Sequence, residues 1–170
     1  KTAYEIPKRD WSSDVCSSDL CLIYMIIEIN FETVYPIWRN LLWPERKSRI
    51  EPTSAMNYLG GYNLQNMRYK PTFLGYFIDD LLVGVNSGHL CYDKSYRSRG
   101  LYVNEDYRKQ GIGKSLLLAS IDKGIQEDAT FIWSYPKYTA HKTYTAAGFS
   151  IIGDWEQSEL GQNAYCKFAL

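Results

Sequence analysis

Arg108-Lys109-Gln110-Gly111-Ile112-Gly113-Lys114 sets two glycines among cations where an extended stretch gives way to a helical one. Those residue types can grip a diphosphate. Glycine lets main-chain N–H groups approach phosphate oxygens with no Cβ between, and the first turn of a helix offers unpaired N–H donors at the positive end of its dipole. Arg108 and Lys114 add charge. Spacing separates the phosphate loops that share these ingredients. A P-loop needs glycine five residues before Gly113-Lys114-Ser115, and Arg108 stands there, so the NTPase pattern fails. A dinucleotide fingerprint needs a third glycine three residues after the second, where this chain has Leu116. Taken alone, the segment has a second reading, a glycine-rich turn that holds nothing.

The elements around the loop are legible from periodicity. Upstream, residues 99–107 read as a strand that ends in a polar turn. Downstream, Ile112, Leu116, Leu117, Ile121 and Ile125 recur at helical steps and predict an amphipathic helix over residues 111–126. Residues 130–135 form a second β-prone run, halted by Pro136. After it Ala140, Tyr144 and Ala147 line one face of a helix, with Gly148 placed as a left-handed cap before Phe149.

Arg108-x-x-Gly111-x-Gly113 resembles the [Arg/Gln]-x-x-Gly-x-[Gly/Ala] motif of the GNAT N-acetyltransferase superfamily, whose loop backbone holds the pyrophosphate of acetyl-coenzyme A. Leu101, Val103, Tyr107 and Arg108 match the strand and turn that precede that motif. The family's second motif is an asparagine, an alanine three residues on, a tyrosine seven on, then glycine-phenylalanine. Ala140, Tyr144, Gly148 and Phe149 fall in register with it, and Lys137 stands at the asparagine position. That departure removes the side-chain amide expected to touch the pantetheine. The resemblance covers residues 101–149. It implies a cofactor site made of Leu101, Tyr102, Val103, Arg108, Lys109, Gln110, Gly111, Ile112, Gly113 and Lys114. The pantetheine arm would pair with free main-chain groups of the strand, as an added strand does. No metal is implied.

The rest of the chain fits one mixed α/β (α+β) domain over residues 25–170. The expected sheet is mostly antiparallel and flanked by helices, in the order β-α-α-β-β-β-α-β-α-β-β, which is the element order of the family. Strands are expected over residues 25–29, 72–78, 81–87, 149–157 and 164–169. A helix over residues 31–42 should carry Val34, Ile37, Trp38 and Leu41 on one face, and Thr53 or Ser54 should cap a second helix to Leu59. Residues 89–95 read as polar loop. The chain has 170 residues, 45% of them apolar, with 19 basic against 19 acidic side chains. That balance gives no reason to expect nucleic acid as a partner. Four scattered cysteines fit reduced thiols better than zinc or a disulfide framework. No run approaches the length of a membrane span, so the expectation is a cytoplasmic protein, monomer or homodimer. Residues 1–24 contain a near-duplicated Ser-Ser-Asp motif and resemble translated sequencing adapter, so they are expected to be a non-native or disordered extension, with Met25 as the native start.

The resemblance implies transfer of an acetyl group from acetyl-coenzyme A directly to a primary amine of a small molecule or protein, within a ternary complex. The alternative is a non-catalytic module of the same fold that binds acyl-coenzyme A or a nucleotide. A phenol is protonated at neutral pH and can donate to a departing thiolate, and the family's general acid falls at Tyr144. An N–H near Val103 would meet the charge that develops on the thioester oxygen. Glu105, Asp106, His89 and Glu156 are bases by type only, and a water relay serves as well. Arg97 and Arg99 are suited to clamp a substrate carboxylate, and Trp38, Trp43, Tyr58, Tyr62 and Tyr69 to wall an acceptor cleft. Ordinary roles compete with both readings: surface arginines are usually solvated, and many of the rings that make up 15% of the chain must fill the core.

Overall fold

Hydrophobic alternation and helical periodicity resolve into one eight-stranded sheet in this computed structural model, which describes Ala3, Tyr4 and residues 21–170. The strands are β1 (Ala3–Tyr4), β2 (Tyr24–Ile29), β3 (Thr72–Ile78), β4 (Leu81–Leu90), β5 (Tyr96–Val103), β6 (Phe131–Ser134), β7 (Ser150–Ser158) and β8 (Gly161–Ala169). Their spatial order is β1-β2-β3-β4-β5-β6-β8-β7, antiparallel throughout except at β5–β6. Of the segment expected to be an extension, residues 1–2 and 5–20 lie outside the described residues. Ala3 and Tyr4 pair with Ile27 and Ile26.

Helix α1 (Phe31–Ile37) is capped by the Asn30 side chain, which accepts from Thr33 N–H at 3.0 Å, and continues as a π-helical turn over Trp38–Leu42. Helices α2 (Ile112–Gln126) and α3 (His141–Ala146) cover the opposite face of the sheet. On that face Tyr96, Leu117, Ile121, Ile132, Tyr144, Ala147 and Phe149 pack as one apolar cluster, continued by Leu74, Val83, Ile112 and Leu116. α2 lies close to the sheet because Gly124 leaves room: a Cβ there would come within 2.3 Å of Ile132. On the other face Val34, Trp38, Trp43, Ile50, Phe73 and Val85 form a second core beneath α1.

Several expectations are corrected. Residues 53–59 are not helical. Gly60 and Gly61 take left-handed φ values of 112° and 81°, Met56 bridges to Tyr62, and the Asn66 side chain donates to Asn57 Oδ1 at 3.0 Å. Asparagine and glycine turn chemistry therefore wins over the Thr53 cap, and a 3₁₀ turn at Leu64–Arg68 follows. β4 runs on to Leu90, so His89 is a buried strand residue and not part of a loop. Leu41 and Ile125 are exposed, because each lies past the edge of the core that its helix covers.

Two features open the sheet at its centre. Along β4–β5 the register jumps from Val85↔Tyr102 to Ser87↔Arg99, a bulge with Gly100 at φ 76°. A Cβ on Gly100 would sit 2.3 Å from the Trp38 ring, so this position excludes any larger residue. β5 and β6 pair in parallel only at Tyr96↔Ile132 and Arg97↔Trp133. β6 then ends at Ser134, short of Pro136, and among the described residues no strand pairs with that edge of the second half of β5.

Candidate active site

The glycine loop lies beyond the unpartnered end of β5. Asn104 caps a 3₁₀ turn (Glu105–Tyr107) by accepting from Asp106 N–H at 3.0 Å, and the chain then enters α2 through Lys109 at φ 62° and Gly111 at φ 80°. Left-handed residues two apart turn successive N–H groups toward one concavity, the geometry of a main-chain anion nest. Among the described residues, no acceptor takes the N–H groups of Gln110, Gly111, Ile112, Gly113 or Lys114, and only Ser115 closes back, on Gly111 O at 3.0 Å. These donors at a helix N-terminus can hold a diphosphate. Lys109, Gln110 and Lys114 are exposed beside them. Ile112 and Gly113 are buried, Ile112 in the core and Gly113 against Thr143 of α3.

Arg108 is placed differently from expectation. Its Nε donates to Val103 O at 2.9 Å and its guanidinium lies over the Tyr102 ring, 5.8 Å from the centroid. It braces the end of β5 as much as it adds charge to the loop. Asn104 N–H donates to Val83 O of β4 at 2.8 Å, so strand alternation turns the main-chain groups of Val103 and Leu101 the other way, into the gap beside β6. Val103 N–H is thereby turned away from β4. Leu101 and Tyr102 pack on opposite faces of the sheet.

Tyr144 belongs to the apolar cluster, 3% exposed, with its ring edge-on to Phe149 at 5.4 Å. Ser134 Oγ, at the end of β6, donates to its hydroxyl at 3.2 Å. Burial raises the phenol's pKa above its usual value. The ring is therefore neutral at physiological pH, and its own proton remains available to another acceptor. Lys137, at the position where asparagine is expected, donates from Nζ to Leu42 O at 3.0 Å and ties the β6–α3 connection to the end of the π-helical turn that follows α1. Burial lowers its pKa.

On the α1 side of the same strands sits a cationic, aromatic floor. His89 pairs with Arg97 and Ser87 with Arg99 across β4–β5, so all four side chains share this face. Neither arginine is solvated: Arg97 is 8% and Arg99 5% exposed. Arg97 stacks on Trp133 at 4.9 Å, and Arg99 lies over Trp38 at 4.9 Å and Trp43 at 5.1 Å. Trp38 itself is fixed by Nε1 donating to Gly100 O at 2.8 Å. Burial lowers both guanidinium pKa values, that of Arg97 to about 10. Burial also pushes the His89 imidazole down to about 3, with Arg97 and Arg99 pushing the same way. It is neutral. His89 Nδ1 meets Leu90 O at 2.8 Å and so carries the hydrogen, leaving the Nε2 lone pair without a partner.

Of the other expected residues, Tyr58 packs against Trp133 at 5.8 Å and joins this floor, whereas Tyr62 is 82% exposed. Tyr69 borders a separate hollow with Leu90, Cys91, Lys94, Glu127 and Asp128. Glu105, Asp106 and Glu156 are all exposed. Residues that sequence reasoning missed are Ser134, Trp133 and Tyr165, whose ring centroid lies 6.0 Å from that of Trp133. The alternation of β6, with Ile132 in the core, carried the signal for Trp133; nothing local marked the others.

Among the described residues, no helix is long and apolar enough to cross a membrane. No curated protein matches this chain. Its fold is similar to that of the IAA acetyltransferase from Bacillus cereus ATCC 14579, at 14% identity and TM-score 0.63 over 87% of this chain and 100% of that one. It is similar also to an acetyltransferase of the GNAT family from Staphylococcus aureus Mu50, at 16% identity and TM-score 0.59 over 86% and 99%. A Bacillus subtilis acetyltransferase solved in complex with CoA aligns at 15% identity and TM-score 0.56 over 88% and 99%. The model of the acetyltransferase (GNAT) family matches residues 35–149, about two thirds of the sequence, and the chain belongs to that family.

Proposed function

We propose that the protein is an N-acetyltransferase that moves the acetyl group of acetyl-coenzyme A to a primary amine by direct transfer in a ternary complex. The observation that carries this reading is the row of unpaired N–H groups from Gln110 to Lys114 beside the open edge of β5. In this reading the loop holds the diphosphate, with Lys109 and Lys114 adding charge, and the β5 edge at Leu101, Tyr102 and Val103 takes the pantetheine arm. The likeness in fold to a protein that binds CoA agrees with it.

The chemistry then needs three proton and charge movements. The amine nitrogen, neutral at the moment of attack, forms a bond to the thioester carbon. Val103 N–H meets the negative charge that develops on the oxygen. As the C–S bond breaks, Tyr144 gives its hydroxyl proton to the sulfur and regains one through water, while Ser134 keeps the phenol oxygen in place. The proton lost by the amine leaves through water, since the acids considered as bases are exposed and His89 is too weakly basic. Mixing the protein with acetyl-coenzyme A and a panel of amines, and following free thiol, tests the reading. Amine-dependent thiol release is expected; binding of acetyl-coenzyme A without release under any amine would instead indicate a non-catalytic module.

A further inference from the structure

Buried guanidinium groups ordinarily face a carboxylate, because leaving a charge both desolvated and unpaired is costly. Among the described residues no carboxylate makes an ion pair with Arg97 or Arg99, and that of Glu51 acts on Arg99 only through its field. Among the described residues the carboxylate of Glu51 pairs with Arg49, and Glu159 accepts from Lys47 N–H at 2.9 Å. Arg99 Nη1 donates to the main-chain oxygen of Glu51 at 2.8 Å, and Arg97 Nη1 to the hydroxyl of Ser54. Arg97 Nε, buried, has no acceptor among the described residues. Arg46, over Trp43 at 5.2 Å, adds a third cation to the same face. Trp38, Trp43 and Trp133 pack against the guanidinium groups, and their rings offer no anionic partner.

Resting on the acetyltransferase reading above, we propose that Arg97 and Arg99 form an anion clamp, and that the acceptor is a small amine whose molecule also carries a carboxylate or phosphate. Planar, forked donors match such oxygens in paired hydrogen bonds. The Nε2 lone pair of His89, which lies across the ladder from Arg97, is suited to accept from the acceptor's N–H. The cations have a second consequence. An ammonium ion brought beside them loses its proton more readily, because like charge disfavours the protonated form. The site thus favours the neutral, nucleophilic amine without a strong base. The near-complete burial of both arginines restricts the acceptor to a small molecule rather than a folded polypeptide surface.

Matched acceptors test the clamp: an amino acid against its amide, and an aminoalkyl phosphate against the corresponding amino alcohol. Thiol release should give the charged member at least about tenfold higher kcat/KM, with the stronger pair identifying carboxylate or phosphate as the anion. Arg99→Gln and Arg97→Gln should raise KM for that member about tenfold or more while the Kd for acetyl-coenzyme A stays unchanged. If a variant does not fold, the wild-type pairs still decide. If no acceptor in the panel turns over, calorimetry on the CoA-loaded protein makes the same comparison, and tighter binding of a charged member supports the clamp. Equal or weaker binding and turnover of both charged members overturns it, as does preference for an acidic peptide over either small acid. Such a result leaves acetyl-coenzyme A binding intact, whereas failure of the protein to bind acetyl-coenzyme A removes the acetyltransferase reading and this one together.

Discussion

The two faces of β5 were built from the same alternating strand and do opposite things. Tyr96 faces α2 and packs with Leu117, Ile121 and Ile132, a cluster stabilised by area removed from water. Arg97 and Arg99 face α1, where burial works against them and, among the described residues, no carboxylate pairs with them. One face holds the fold; the other carries a cost that a ligand would relieve. The difference teaches that burial alone does not identify a core, since what a buried group meets decides whether it stabilises or waits for a partner.

Breaking the apolar face should have the largest effect. Leu117→Ala removes a fully buried side chain and should cost about 2–5 kcal/mol in urea unfolding, while the folded fraction keeps its affinity for acetyl-coenzyme A. On the opposite face, His89 should make stability fall with acid. Its folded pKa of about 3 lies below the usual 6.5, so between those values the unfolded chain binds a proton that the folded chain refuses. Stability from this residue is therefore complete above pH 6.5 and reduced by about 2 kcal/mol at pH 5. Unfolding curves at the two pH values should show that slope, and His89→Phe should flatten it if it folds. Where the faces meet in chemistry, Tyr144→Phe should lower kcat at least about tenfold and leave acetyl-coenzyme A affinity nearly unchanged. Unchanged kcat would return Tyr144 to a packing role. Arg99→Met should raise stability by about 1 kcal/mol, because it replaces an unpaired buried charge with an apolar chain, and should weaken the acceptor's KM. A loss of stability there would mean that stacking on Trp38 and Trp43 outweighs desolvation.

The apolar face was legible in the sequence and the charged one was not. Ile112, Leu116, Leu117 and Ile121 fall at helical steps that any helix on a sheet must present, and all four are buried as expected. The glycine loop was equally readable, because Gly111 and Gly113 have local jobs: a left-handed residue and a close approach to Thr143. By contrast, a polar run such as residues 87–89 looks the same whether it is a solvated loop or an inward strand face. His89 became buried only because β4 continued to pair with β5. Arg97 and Arg99 read as solvated or as clamp from sequence; that no carboxylate among the described residues pairs with them follows from where Glu51 and Glu159 spend theirs. Residues 53–59 misled because the Thr53 cap signal was local, while the Asn57–Asn66 contact and the Gly60-Gly61 turn acted together.

The central claim is that main-chain amides at the start of α2 hold the diphosphate of the acyl donor. An amide-resolved NMR titration with acetyl-coenzyme A tests it most directly. The account predicts that the largest shifts fall on Gln110, Gly111, Ile112, Gly113 and Lys114, with Val103 next. Saturating shifts confined to other parts of the sheet, with these amides unmoved, would contradict it.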